Sequence, residues 1–76
     1  MDNNNFPILK PKEIIFALKK IGFFVVRTNK NHKLLMHQDC RRTTIPTYKN
    51  RPISPVILKL ILKDITVDIN EFLKLL

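Results

Sequence analysis

Two side chains in this 76-residue sequence ordinarily move protons near neutral pH, His32 and His37. They lie five residues apart in a stretch that alternates like a strand, so they point to opposite faces and cannot easily share a metal ion. No glycine-rich phosphate loop, no Cys/His metal spacing and no paired carboxylates near the basic region accompany them. No metal and no cofactor is therefore expected. What remains is His32, at the head of a strand, directly after a turn and between Lys30 and Lys33.

RNA is a substrate that such a set can cut. The 2′-hydroxyl attacks its own phosphodiester, so the nucleophile arrives with the substrate. The protein must supply proton transfer and stabilise a crowded anionic phosphorane. An imidazole contributes roughly 10²–10⁴-fold by general acid–base action, and neighbouring Lys and Arg give charge-assisted hydrogen bonds to the non-bridging oxygens. A lone histidine is more often a surface or structural residue, so the surrounding charge matters.

That charge is strongly positive. The formal net charge is +8, an excess that nucleic acid commonly offsets. The basic residues crowd the middle of the chain, where Asp39 is the only acid. The expected RNA-binding set is Arg27, Lys30, Asn31, Lys33, Arg41, Arg42, Lys49 and Arg51, with Tyr48 placed to stack a base. A solvated surface is the plain alternative for any charge run. An anionic membrane is disfavoured, because these charges fall on strand-like sequence rather than on an amphipathic helix. His37 is read as structural or as an incidental surface residue.

The elements that must hold these residues are legible from periodicity. KPKEIIFALKKIG reads as a helix: Pro11 suits its first turn, Glu13 its positive end, and Lys19 and Lys20 its negative end. Ile14, Ala17, Leu18 and Ile21 share one face, and Gly22 supplies the left-handed stop. FFVVRT reads as a buried strand, and Asn29-Lys30-Asn31 as a turn in which either Asn takes positive φ. His32 to Gln38 is a second strand, with His32, Leu34 and Met36 on one face. After a turn at Asp39-Cys40-Arg41, Arg42 to Thr47 is a third.

Residues 48 to 53 are a basic loop, and Ser54-Pro55 opens a second helix, PVILKLILKD, apolar nearly all round. Asp68 and Glu71 give a capping-box spacing for a short third helix ending in Phe72, Leu73, Leu75 and Leu76, which would cover part of the second. Any apolar surface left open would serve a partner. The fold class is α+β, in the order α-β-β-β-α with a short C-terminal helix: a three-stranded antiparallel sheet with helices on one face. A single domain spanning 1–76 is expected, with 1–9 a loose tail. One cysteine, Cys40, allows no internal disulfide, and nothing resembles a signal peptide or a membrane span, so a cytoplasmic location is expected.

The run KPKEIIFALKKIGFFVVRTNKNHKLLMH, then RRTTIP, then ISPVILKLILKD, resembles the HicA family of toxins from bacterial and archaeal toxin–antitoxin pairs. Lys12 to Phe23 follows the family's first helix, Lys30-Asn31-His32 stands at its Gly-Ser-His turn, Ile45-Pro46 at its Val-Pro element and Ile61-Leu62-Lys63 at its Ile-Leu-Lys step. The resemblance implies a fold like that of a double-stranded-RNA-binding domain. It also implies mRNA interferase activity that requires the turn histidine, here His32, and neutralisation by a HicB-type antitoxin covering the active site. Lys30 in place of glycine and Asn31 in place of serine are departures, as are Thr47-Tyr48 after the Pro element and Val56-Ile57 where Gly-Thr is common.

The expected function is thus a metal-independent ribonuclease acting on mRNA. Its rivals are a non-catalytic RNA-binding module and an antitoxin-binding domain on the same fold. The absence of a lysine cluster at Ser54-Pro55-Val56-Ile57 counts against gripping duplex RNA.

Overall fold

The backbone of Lys10 is extended and Pro11 brings a preset φ to the first turn of helix α1 (Pro11–Lys20). The Glu13 carboxylate accepts the Lys10 amide at 2.8 Å, satisfying a donor that the helix leaves unpaired. At the other end Gly22 takes φ +98°, and the Phe23 amide reaches back to the Leu18 carbonyl at 3.1 Å. This closure reverses the chain into the sheet. These features belong to a computed structural model that describes residues 6–76.

Strands β1 (Phe24–Thr28), β2 (His32–Met36) and β3 (Arg42–Pro46) form one antiparallel sheet in the order β1-β2-β3. Leu35 and Ile45 are fully buried beneath α1 and helix α2 (Pro55–Ile65). The alternate residues His32, Thr44 and Arg42 are exposed on the other face. Thr43, the one buried polar residue of the sheet, donates its hydroxyl to Asp64 of α2 at 3.1 Å. The Ser54 hydroxyl accepts the Ile57 amide at 3.3 Å to cap α2, and Thr66 ends that helix in a left-handed turn. Asp68 caps the short helix α3 (Ile69–Leu73) through the Asn70 amide at 3.0 Å, and Phe72 is driven completely into the core.

Three expectations change. FFVVRT is not a buried strand: Phe23 is buried, but within β1 only Val25 is half-buried, because β1 is an edge strand with one face open to water. Of the tail expected at 1–9, residues 1–5 lie outside the described ones, while Leu9 is 8% exposed and bridges Ile53. That contact adds backbone pairing beside the start of α2. Neither Asn29 nor Asn31 has positive φ. The apolar second helix is only partly covered, since Val56, Ile57 and Leu60 remain exposed.

His37 explains why Gly22 must be glycine. The Asp39 amide donates to His37 Nδ1 at 3.1 Å, which leaves Nε2 to carry the ring proton to the Ile21 carbonyl, also at 3.1 Å. The ring packs edge-on against Phe23 and latches the end of α1 to the β2–β3 turn. A Cβ on Gly22 would meet Nε2 at 2.9 Å, at a φ that L-residues avoid. Gly22→Ala is expected to cost about 2–3 kcal/mol from backbone strain and the displaced imidazole. Chemical denaturation measures it, and a cost below half a kilocalorie would show that the latch can shift freely.

Candidate functional site

The turn before β2 is set by one side chain. Asn29 Oδ1 accepts the amides of Asn31 at 2.9 Å and His32 at 2.8 Å, while the Asn29 amide donates to the His32 carbonyl at 2.9 Å. These bonds close the turn with ordinary negative φ at Lys30 and Asn31. A glycine is not needed for the backbone to pass, so Lys30 and Asn31 close this turn without a left-handed residue. His32 emerges as the first residue of the central strand, opposite Pro46.

The exposed His32 ring lines a shallow depression of about 350 Å³ with Arg27, Asn29, Leu34 and Thr44. Arg27 reaches this face because of a bulge. Val25 pairs with Leu35, but Arg27, not Val26, pairs with Leu34. One extra residue in β1 therefore turns Arg27 toward the open face, where regular alternation would send it under the helices. Among the described residues, no side chain hydrogen-bonds the His32 imidazole, and no acid lines the depression.

A second cluster adjoins this end of the sheet. The Thr47 amide donates to the Asn31 carbonyl at 2.7 Å, tying the β3 exit to the His32 turn. The chain then makes a 3₁₀ turn, Tyr48–Asn50, in which Lys49 and Asn50 both hold left-handed backbone conformations. Such conformations cost about 1–3 kcal/mol each and concentrate at functional sites. Lys49 Nζ and the Arg51 guanidinium both lie over the exposed Tyr48 ring, 5.3 and 5.5 Å from its centre.

The structure thus brings together His32, Arg27, Lys30 and Asn31, with Lys49 and Arg51 on the adjoining loop. It separates three other expected residues from them. Lys33 points to the opposite face, beside α1. Arg42 shares the open face but lies four residues along the ladder, about 13 Å from the His32–Pro46 end. Arg41 is already engaged: its Nη1 donates to the Ile65 carbonyl at 2.6 Å, its Nε to Asp39 at 2.8 Å, and its guanidinium lies over Phe23. Arg41 clasps the β2–β3 turn to the end of α2. Asn29, Leu34 and Thr44 were not among the expected site residues. Only Asn29 left a signal, an Asn opening a turn, which commonly binds backbone two residues on.

The Arg41 amide donating to Asp39 at 3.0 Å is the main cause that holds the Asp39 carboxyl below its usual range, aided by the guanidinium. A carboxyl whose folded pKa is depressed stabilises the fold above its unfolded value, and that help disappears as pH falls through the folded one. Asp39→Asn is expected to melt below the parent at neutral pH, with the two curves converging in acid. A gap unchanged down to pH 2 would exclude the carboxylate as its source.

Among the described residues, no three His, Cys, Asp or Glu side chains group as metal ligands, and no helix is long and apolar enough to cross a membrane. An antiparallel three-stranded meander with its helices on one face is an α+β module like a double-stranded-RNA-binding domain, here with a histidine and cations on the open face. The family model of the HicA toxin of bacterial toxin–antitoxin systems matches residues 11–67, and the chain belongs to that family. The match runs from the first residue of α1 to just past α2, and so takes in the whole site. It makes the protein a toxin whose counterpart is an antitoxin. No individual curated protein matches the chain.

Proposed function

We propose that the protein is a metal-independent endoribonuclease that cleaves single-stranded mRNA in the cytoplasm through His32, and that a HicB-like antitoxin silences it by covering the open sheet face. The observation that carries this reading is the exposed His32 ring beside Arg27 in a depression without acids. His32 takes the proton of the 2′-hydroxyl as that oxygen attacks phosphorus. The bond from phosphorus to the 5′-oxygen breaks, and the departing oxygen takes a proton from solvent, which reaches this open site. The products are a 2′,3′-cyclic phosphate and a 5′-hydroxyl. Arg27 neutralises the non-bridging oxygens as charge builds. Lys30, Asn31, Lys49 and Arg51 hold the flanking backbone, and Tyr48 offers a ring for a base. Arg42 is left a peripheral contact at the far end of the face.

The test is incubation of the purified chain with a long single-stranded RNA in EDTA, with the product ends identified. Cleavage that leaves cyclic phosphate termini fits the reading. Intact RNA with binding retained would replace it with a non-catalytic RNA-binding module.

A further inference from the structure

A second basic feature lies on the helix side of the sheet. Lys12, Ile15, Phe16 and Lys19 of α1 and Lys33 of β2 line a groove of about 290 Å³. Lys12 and Lys19 are seven residues apart on one face of α1, a rise of about 10 Å. Between them Phe16 is 62% exposed. Its ring is held by Lys20, whose Nζ lies 4.7 Å from the ring centre while donating to the Leu75 carbonyl at 2.7 Å.

Lys33 is the unusual member. It pairs with the buried Ile45 and so occupies an inward position of the central strand, where the next inward residue is the buried Leu35. Inward charges often guard the edges of sheets, but β2 is not an edge strand. Among the described residues the one Lys or Arg ion pair joins Arg41 to Asp39, so Lys12, Lys19 and Lys33 have no acid partner there. Lys33 is half-buried, and an anion in the groove would meet its charge together with those of Lys12 and Lys19.

We propose that this groove is a second RNA-binding site, holding the backbone phosphates of a single strand with one base stacked on Phe16. It deepens the ribonuclease reading and rests on it. His32 and Lys33 are consecutive in β2 and point to opposite faces, and the exposed turn 29–31, with Lys30 in it, is the rim between them. RNA whose scissile phosphate sits at His32 passes over this rim, and its flanking nucleotides enter the α1 groove. The exposed ring selects a single strand, because a duplex has no unstacked base to offer it. An acidic protein segment would match the lysines but leave the aromatic ring without a specific role.

The test is binding of a fluorescent 20-nucleotide RNA and of a tetranucleotide to full-length His32→Ala protein, which separates binding from cleavage. Adding Phe16→Ala should weaken the 20-mer roughly 5- to 150-fold, the loss of one base stack. Adding Lys12→Gln and Lys19→Gln should lower the slope of log affinity against log salt by about 1.4. The tetranucleotide, too short to span both faces, should bind the first site as before, read from the amide resonances of Arg27, Leu34 and Thr44. All three side chains are exposed, so melting temperatures should hold and report any misfolding.

Unchanged 20-mer affinity and salt slope would overturn the proposal. So would equal losses for both RNAs, which would place these residues at the first site. Weakened binding of a polyglutamate peptide with RNA binding intact would reassign the groove to an acidic protein. Failure of the parent protein to cleave would defeat the ribonuclease reading, yet the binding comparison would still report on the groove.

Discussion

His32→Ala protein is expected to fold and melt like the parent but to lose RNA cleavage by about 10²–10⁴-fold. The side chain is exposed and no described residue hydrogen-bonds its ring. The Asn29 bonds that shape the turn go to the backbone of residue 32, not to its imidazole, so alanine keeps them. The loss should fall on kcat, since proton transfer is needed in the transition state and Arg27 with the neighbouring cations still binds the ground state. Single-turnover cleavage of a defined RNA, alongside a binding isotherm, measures both quantities. Growth of cells expressing the variant gives a second readout: arrest should vanish. Retained cleavage with an intact fold would remove His32 from the chemistry. Loss of binding in parallel with cleavage would make it a phosphate contact rather than a proton-transfer group.

Phe72→Ala should destabilise the whole domain by about 3–5 kcal/mol. The residue belongs to a five-residue helix near the C-terminus, yet it has no exposed surface and joins the same core as Leu18 of α1 and Ile61 and Ile65 of α2. For 76 residues a total stability of about 4–11 kcal/mol is ordinary, so this one truncation removes a large share. The melting temperature should fall by about 12 °C or more. Leu76→Ala, at an exposed position, should stay within about 0.5 kcal/mol of the parent. An unchanged melting temperature for Phe72→Ala, with fast hydrogen exchange confined to α3, would mark that helix as an appendage instead of part of the core.

Much of this architecture was legible from residue types. Pro11, Glu13 and Gly22 bracket α1, and Ser54 and Asp68 cap α2 and α3, because each acts on backbone groups within a few residues. Alternation in β2 separated His32 from Lys33 and His37, and the helices do cover the face that holds Leu35. The charge pattern led to the His32 end of the sheet with Lys30, Lys49 and Arg51. It also swept in Arg41, because a sequence shows that a guanidinium is present but not that the end of α2 and Asp39 already occupy it. The burial assigned to β1 failed for a similar reason: Phe24 and Val26 have strand-forming side chains wherever they lie, and only the edge position leaves them exposed.

The division follows from the range of the forces involved. Helix limits, the places of the turns and the pairing order of a short meander depend on neighbours in the chain, and the residues alone sufficed for them, though not for the φ values within the 29–31 turn. Which cation stands beside His32 depended on register across two strands. A single bulge between Val25 and Arg27 turns Arg27 to the open face, and nothing in Phe24-Val25-Val26-Arg27 announces it. The groove among Lys12, Phe16, Lys19 and Lys33 likewise exists only once α1 packs against the sheet. Packing joined residues far apart in the chain, and that long-range step chose which charges act together.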